Sequence, residues 1–511
     1  MDNHGLGSWT ARRAAMSPGR TALIFEGRRV SFTELHERVL RLASALRAAG
    51  VRQGDRVAYL GPNHPAFVET MFATFVLGGV FVPLNFRLTG PEVEYQLRHS
   101  GAVALIHASA ASTSVTIKVD LSTYEGFITT GSVQPIDVPV SLDDTACILY
   151  TSGTTGHPKG AILTHGNIIW NCYNLLVGVD VASDEVTLVS APLFHVAALN
   201  QCLLPTFLKG GTSVIMPGWD VDGCFDAIAE HRVTWMFGVS TMYAGLSQSP
   251  RWDTADLSSV RSLMTGGASV PEALIRVYQA RGLAFCQGYG MTETAPGATF
   301  LEARESRKHV GSAGLPVFFA DVRLSFDPGD ADPGDADPGD ADPVDADRGG
   351  FGPGEVLVRG PNVTPGYWHD PQATAAAFDD GGWFRSGDLA VVDAGGHFRI
   401  VDRTKDMYIS GGENVYPAEV EAAIFEHPAV SEAAVIGVAD EKWGEVGRAF
   451  VVPREGFDLD PRDVPEFLNG RLAKYKIPVY VDVVGELPRT GSNKVRKAPL
   501  RDLPLPDRAR P

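Results

Sequence analysis

Tyr150-Thr151-Ser152-Gly153-Thr154-Thr155-Gly156-His157-Pro158-Lys159-Gly160 puts three glycines, four serine or threonine hydroxyls and one lysine in a single short stretch. It follows an apolar run, Ala146 to Leu149, that reads as a buried strand. Glycine lets a backbone approach a ligand closely, and hydroxyl and amide groups can donate to phosphate oxygens. A loop that holds a polyphosphate is therefore expected here. It is not a Walker A loop, because Lys159 is followed by Gly160 and only two residues separate Gly156 from Lys159. Nor is it Gly-x-Gly-x-x-Gly. Taken alone, a plain surface turn would serve equally well, so the rest of the chain decides.

Further motifs occur downstream: Ala191-Pro192-Leu193-Phe194-His195, Gly288-Tyr289-Gly290-Met291-Thr292-Glu293-Thr294, Ser386-Gly387-Asp388, Asp402-Arg403-Thr404-Lys405-Asp406, Gly411-Gly412-Glu413-Asn414 and Pro488-Arg489-Thr490-Gly491-Ser492-Asn493-Lys494. Together, and in this order, they resemble the adenylate-forming superfamily of acyl-CoA synthetases, peptide-synthetase adenylation domains and beetle luciferases. The resemblance covers nearly the whole chain. It implies an α/β fold, with a large N-terminal domain of two α/β subdomains plus a small β-barrel and a small, mobile α+β lid. The expected boundary divides residues 1–402 from 403–511.

Composition agrees with several subdomains. At 511 residues the chain exceeds the usual size of one core, and its 44% hydrophobic content is ordinary for a globular protein. No apolar run approaches the ~18 residues of a membrane span. Met1-Asp2-Asn3-His4-Gly5 lacks a signal-peptide pattern, and five scattered cysteines suit a reducing compartment, so a cytoplasmic protein is expected. The net charge of -17 is unevenly spread. Between Asp327 and Asp347 run four copies of Asp-Pro-Gly-Asp-Ala, with Val344 in place of the last glycine. Nine aspartates there supply about half the net charge. The spacing matches no calcium loop, and proline every five residues opposes regular structure, so a solvated insertion is expected. The acidic balance argues against nucleic acid as a partner. A homodimer stays open.

The first part alternates helix and strand patterns. Ser31-Phe32-Thr33-Glu34 reads as a capping box, Leu35, Val39, Leu42 and Leu46 as one helix face, and Gly50 as its stop. Strands are expected at 56–60, 80–83, 103–107, 188–190, 212–216 and 235–237, with a helix over 66–75. Repeated βα units imply parallel sheets whose nucleotide sites lie beyond the carboxyl ends of the strands. From about Val317 to Ile400 the pattern changes to short strands and turns. In the lid, helices are expected over 417–426 and 464–474, and strands over 433–438 and 449–452.

A carboxylate is a poor acyl donor. Attack on the α-phosphate of ATP gives an acyl-adenylate, from which a thiol can take the acyl group. Two anions meet in the first step, so charge neutralisation and positioning dominate. By resemblance, Thr151, Ser152, Gly153, Thr154, Thr155, Gly156 and Lys159 bind phosphates. Gly267, Ala268, Gly288, Tyr289, Gly290 and Thr292 surround the nucleotide, Asp388 accepts from the ribose hydroxyls, and Arg403 supports ribose and phosphate. A carboxylate beside phosphates needs a cation between them, so Glu293 is expected to hold Mg²⁺. Lys494 is the expected adenylation cation, Thr292, Glu293 and His195 completing the catalytic set. Asn493 stands where glycine is common, and asparagine tolerates left-handed backbone well. Lys405 is the expected hinge, whose rotation would exchange Lys494 for Gly411, Gly412 and Glu413 and admit the pantetheine arm of coenzyme A.

The expected acyl pocket comprises His195, Val196, Ala197, Asn200, Gln201, Tyr243, Gly266, Gly290, Pro296 and Gly297. It is mostly apolar, and Asn200 or Gln201 could meet a ring hydroxyl. Gly5-Leu6-Gly7-Ser8-Trp9, Tyr59 to Pro65 and Gly311-Ser312-Ala313-Gly314 resemble bacterial feruloyl-CoA synthetases. The implied activity is ATP-dependent ligation of ferulate and related hydroxycinnamates to CoA. A medium- or long-chain fatty acyl-CoA synthetase and a free-standing adenylation enzyme serving a carrier protein stay open. A luciferase-like oxygenase shares the implied fold, whereas a purely nucleotide-binding protein would not need both Lys494 and Glu293.

Overall fold

The computed structural model describes residues 2–108, 113–151, 158–179, 181–267, 270–283, 285–325, 353–403, 406–410, 413–440, 442–489 and 495–506. Two largely parallel sheets form the body of residues up to 316. The first runs Ile117–Asp120, Ala102–His107, Arg56–Leu60, Val80–Leu84, Thr145–Thr151 and Lys159–Thr164, parallel except for the last strand. The second has a parallel middle through Phe285–Gly290, Ser262–Gly266, Trp235–Gly238, Val186–Val189, Thr212–Ile215 and Thr21–Phe25. Gly297–Leu301 and Leu315–Pro316 extend it antiparallel at one edge, Arg28–Ser31 at the other.

The helix Phe32–Ala49 follows its sequence signals closely. Ser31 Oγ accepts from the Glu34 amide at 3.1 Å, Leu35, Val39, Leu42 and Leu46 are fully buried, and Gly50 (φ 120°) ends the helix. The box is only half made, because the Glu34 carboxylate pairs with Arg28 at 2.6 Å instead of turning back. The helix Pro65–Val76 is enclosed from Ala66 to Val76, Glu69 included. Glu69 is compensated by Arg38 at 2.7 Å and by the Tyr124 hydroxyl at 2.7 Å, as a charge in a core must be.

Residues 321–403 form the antiparallel order Asp321–Ser325, Gly354–Arg359, Phe384–Val392, Phe398–Arg403. Among the described residues this is a four-stranded open sheet, where a small barrel was expected. The Asp327–Asp347 repeat lies outside the described residues, and Ser325 pairs with Glu355 across it. A separate core forms beyond Tyr408 around Val420, Ile424, Val435, Ala449, Val451, Val464 and Leu468. Its long hairpin, Val430–Asp440 with Gly444–Pro453, takes Tyr480–Val483 alongside in parallel. The helix expected over 464–474 is shorter, Asp463–Leu468. Asn469 leaves helical geometry and Gly470 (φ 79°) turns the chain before the short turn Lys474–Lys476.

The amino-terminal Gly-Leu-Gly run is a packing element. A Cβ on Gly5 would meet the His165 ring at 2.8 Å, and one on Gly7 the Phe75 carbonyl at 2.5 Å. His165 Nδ1 accepts from the Leu6 amide at 3.2 Å. Burial disfavours its charged form and lowers its pKa to about 4. The folded state thus binds fewer protons than the unfolded chain, and stability falls as pH drops from about 6.5 toward 4. The difference between pH 7 and pH 5 is about 2 kcal/mol for this group. Urea denaturation at both pH values should show His165→Asn less stable than wild type at pH 7, with its own pH difference smaller by roughly that amount.

Candidate active site

Thr151 closes its strand opposite Lys159, so residues 152–157 span the end of an antiparallel pair. Ser152, Gly153, Thr154, Thr155 and Gly156 lie outside the described residues. Both framing residues are half-buried. On the second sheet, Gly266 and Gly288 are register partners, and a Cβ on Gly266 would stand 2.7 Å from the Gly288 carbonyl oxygen. Gly290 is more constrained: its Cβ would fall 1.6 Å from the Pro296 carbonyl oxygen. Glycines thus let two strand ends and the following turn approach backbone to backbone. Gly267 (φ 81°) continues this edge, and Ala268 lies outside the described residues.

Two distant segments, 159–162 and 362–368, meet at the turn Thr292–Thr294. The Thr364 amide donates to the Glu293 carbonyl at 2.7 Å, and the Thr364 hydroxyl donates to Ile162 O at 2.6 Å. Ile162 N donates to Gly366 O and Trp368 N to Gly160 O, at 3.0 and 2.8 Å. Segment 362–368 therefore ties the strand after the phosphate-loop stretch to the turn that carries Glu293. The buried Glu293 carboxylate accepts from the Tyr367 hydroxyl at 2.8 Å, and Lys159 Nζ lies 5.3 Å from the Tyr367 ring centre. Burial and then the Glu293 charge push the Tyr367 phenol far above its usual pKa, so it stays a donor. Thr292 opens the same turn and is half-buried.

The Tyr289 hydroxyl donates to Asp388 Oδ2 at 2.7 Å across 99 residues of sequence. Asp388 is 7% exposed, sits after Gly387 (φ 69°), and its amide donates to Ser386 Oγ at 3.0 Å. Its strand partner is Arg403, whose side chain lies outside the described set.

The acyl-side candidates divide. His195 is half-buried against Phe194, with ring centres 4.5 Å apart, and leads through Val196 and Ala197 into the π-helical turn Ala198–Leu203. Asn200 is fully enclosed. Its Nδ2 donates to Ala295 O at 3.2 Å and its backbone carbonyl accepts from Asn171 Nδ2 at 2.9 Å. Asn171 Oδ1 in turn accepts from Gly297 N at 3.1 Å, while Asn362 Nδ2 donates to Thr294 O and Gly297 O, both at 2.7 Å. Three asparagines thus fix the Ala295-Pro296-Gly297 turn. Asn200 Oδ1 and Gln201 Oε1 are enclosed without a hydrogen-bond partner. Tyr243 is different from its expected pocket role. It is 0% exposed, its hydroxyl donates to Met264 O at 2.7 Å, and its ring packs on Tyr278 and Phe285, so here it fills the core.

Lys405, Gly411, Gly412 and Lys494 lie outside the described residues, as does the Glu413 side chain. The described residues around them are anchored: Ala418 N donates to Asp402 at 2.9 Å, Lys497 pairs with Glu421 at 2.8 Å and Arg501 with Asp406 at 3.0 Å.

The AMP-binding enzyme family matches residues 10–368, and the AMP-binding enzyme C-terminal domain matches residues 419–494. The chain belongs to the AMP-binding enzyme family. Feruloyl-CoA synthase from Amycolatopsis sp is 51% identical over 98% of this chain and 99% of its own length. Indoleacetate–CoA ligase from Aromatoleum aromaticum is 41% identical over 98% of both chains. Among solved structures, Bacillus subtilis o-succinylbenzoate CoA synthetase with its acyl-adenylate intermediate superposes with a TM-score of 0.86, at 33% identity and 98% coverage of both chains. The same enzyme with ATP and magnesium ion gives 0.84, at 33% identity and coverage of 97% and 98%.

Tyr367, Asn171, Asn362 and Thr364 were not among the sequence candidates. The available signal for Tyr367 was an aromatic beside Gly366, whose φ is 143°. A hydrogen bond to a charged group is worth about 1.5–3 kcal/mol. Tyr367→Phe should therefore lower kcat/KM for MgATP about tenfold or more, and shift the Mg²⁺ dependence to higher concentration, with little change in Tm. Steady-state kinetics across a magnesium titration checks this, and an unchanged magnesium dependence would remove Tyr367 from the site.

Proposed function

We propose that this AMP-forming acid–CoA ligase takes hydroxycinnamic acids, with ferulate the leading substrate. The observation that carries the substrate class is the 51% identity to feruloyl-CoA synthase over nearly the full length of both chains. The pocket chemistry supports it. Asn200 Oδ1 and Gln201 Oε1 are buried acceptors without a partner, and a phenolic hydroxyl is a donor. An indole also carries a ring donor, the N–H, which fits the relation to indoleacetate–CoA ligase. An alkyl chain would leave both acceptors as they stand, whereas a donor would gain a hydrogen bond worth about 0.5–1.5 kcal/mol at each. That weighs against the fatty-acid reading, which the 35% identity to a mycobacterial long-chain-fatty-acid–CoA ligase keeps second.

In the first half-reaction a carboxylate oxygen of the acid bonds to the α-phosphorus of ATP and the bond to pyrophosphate breaks. In the second, the CoA sulfur bonds to the acyl carbon and AMP leaves. The assigned roles are these. Residues 151–156 and Lys159 grip the β- and γ-phosphates. Tyr289 lies beside adenine, with Gly267, Ala268, Gly288 and Gly290 forming the nucleotide's close walls, while Asp388 accepts from the ribose and Arg403 supports it. The enclosed Glu293 carboxylate, held by Tyr367, is a hard oxygen donor that fits Mg²⁺, which when bound offsets phosphate charge. Thr292 completes that turn. Lys494 neutralises the meeting carboxylate and α-phosphate. His195, Val196, Ala197, Gly266, Pro296 and Gly297 line the acyl side, and His195 acts in gating. Lys405 is the hinge between residues 1–402 and the lid, and Gly411, Gly412 and Glu413 admit CoA. The five cysteines are free and buried, which suits a reducing cytoplasm.

Two experiments test this reading. CoA-dependent AMP release should be faster with ferulate, 4-coumarate and caffeate than with hexanoate to palmitate. Gln201→Leu should raise KM for ferulate about tenfold while leaving cinnamate, which lacks the ring hydroxyl, within about threefold. Preference for fatty acids, or equal effects on both aromatic acids, overturns the substrate assignment. Separately, Lys494→Ala should slow adenylate formation about a hundredfold or more while thioester formation from synthetic feruloyl-AMP is largely kept. Equal loss in both steps refutes its role.

A further inference from the structure

Two histidines and an aspartate meet away from the residues assigned above. His309 belongs to the crossing segment after the strand Gly297–Leu301, where its amide donates to Glu305 O in a single helical turn. Asp393 and His397 flank the tight turn between Phe384–Val392 and Phe398–Arg403. The imidazoles of His309 and His397 stack at 3.7 Å between centres, tilted by 18°. Their Nδ1 atoms lie 3.7 and 3.5 Å from the two oxygens of Asp393, and the three ligand atoms are within 4.8 Å of one another. His397 Nδ1 is enclosed and makes no hydrogen bond.

We propose that His309, Asp393 and His397 form a binding site for a borderline divalent cation of the zinc type. Imidazole nitrogen with carboxylate oxygen is a donor set that zinc accepts, with water completing four-fold coordination. Zinc-to-ligand distances of about 2.0–2.2 Å in a tetrahedron put ligand atoms about 3.3–3.5 Å apart. The ligand atoms already lie within 4.8 Å of one another, and the stacked imidazoles must splay apart so that the ion lies in the plane of both rings. The backbone already holds the geometry. Asp393 Oδ1 accepts from the amides of Gly395 and His397 at 2.8 and 2.9 Å, fixing the turn. The segment bearing His309 is locked to the same strand, since Ser312 Oγ and Ala313 N donate to Phe398 O, and Phe398 N donates to Gly314 O. Glu305 Oε2 lies 4.0 Å from His309 Nε2, on the far side of the ring, where an outer carboxylate orients a ligating histidine. The ion would clamp this segment to the strand that carries Asp388, about 17 Å along at ~3.3 Å per residue.

The test titrates ZnCl₂ and CoCl₂ into the nucleotide-free full chain. One equivalent should bind, with the visible absorption of nitrogen-ligated tetrahedral cobalt and a zinc-dependent rise in Tm. His309→Ala and His397→Ala should each weaken binding by at least about tenfold and abolish the rise in Tm, while ferulate ligation without added zinc stays within about twofold of wild type. No stoichiometric binding overturns the proposal. So does binding that survives both substitutions, which would place the ion on other groups such as the Asp327–Asp347 repeat.

Discussion

The segment 362–368 is the constraint on which the site depends. The proposed phosphate-binding residues belong to the first sheet and the carboxylate proposed to hold the metal, Glu293, to a turn beyond the second. Two sheets built around different helices have no intrinsic reason to hold a fixed relation. Thr364, Gly366 and Trp368 pair with the strand Lys159–Thr164 on one side, and Asn362, Thr364 and Tyr367 bond the Glu293 turn on the other. Each neutral bond is worth about 1 kcal/mol net, but breaking one in this enclosed place leaves a buried group unpaired, which costs more. That asymmetry converts several modest bonds into a rigid splice. The close fit at Gly290 and Pro296 works in the same direction, because no side chain at position 290 could be accommodated without moving the turn.

A protein of net charge -17 that binds a polyanion needs its positive charge placed locally. The Debye length is about 8 Å at physiological ionic strength, so exposed charges act mainly on their immediate surroundings. The aspartate repeat contributes about half of the net charge from between two strands of the four-stranded sheet, and it bears on nucleotide binding only within that range. On the proposed roles, Lys159, a cation at Glu293 and Lys494 are the groups whose field matters for the phosphates. Low dielectric around the buried Glu293 sharpens its demand for a cation, and the Tyr367 donor keeps its carboxylate oriented in the meantime.

Periodicity in the sequence reported faces and ends of elements well. The buried stripe of Phe32–Ala49, its Ser31 cap and Gly50 stop were all legible, and the parallel strands expected at 56–60, 80–83 and 235–237 are found at Arg56–Leu60, Val80–Leu84 and Trp235–Gly238. The motifs also marked Tyr289, Glu293 and Asp388. What was not legible were contacts between elements. Asn171 acts on Gly297, Asn362 on Thr294 and Tyr367 on Glu293, over separations that no local pattern encodes. The overlong helix at 464–474 shows the converse error. Its apolar spacing continued while Asn469 and Gly470 had already taken non-helical backbone. Tyr243 shows a third: alignment with a pocket position does not say which way a side chain faces, and here the ring turns into the core.

Selectivity for the acyl group follows from how the acceptors are made. One amide N–H of Asn200 is held by Ala295 O, which fixes the side-chain orientation. Its carbonyl oxygen is left unpaired, as is that of Gln201 on the same widened π-helical turn, an irregularity frequent at functional sites. A substrate that donates recovers an interaction the free enzyme lacks, while an apolar one of the same size leaves the acceptor unpaired. The difference is about 0.5–1.5 kcal/mol per group, a factor of roughly two to ten. Discrimination by hydrogen-bond polarity is steeper than discrimination by a single methylene. On the proposed placing of Asn200 and Gln201 at the acyl group, aromatic acids are distinguished by what their rings donate more than by how large they are.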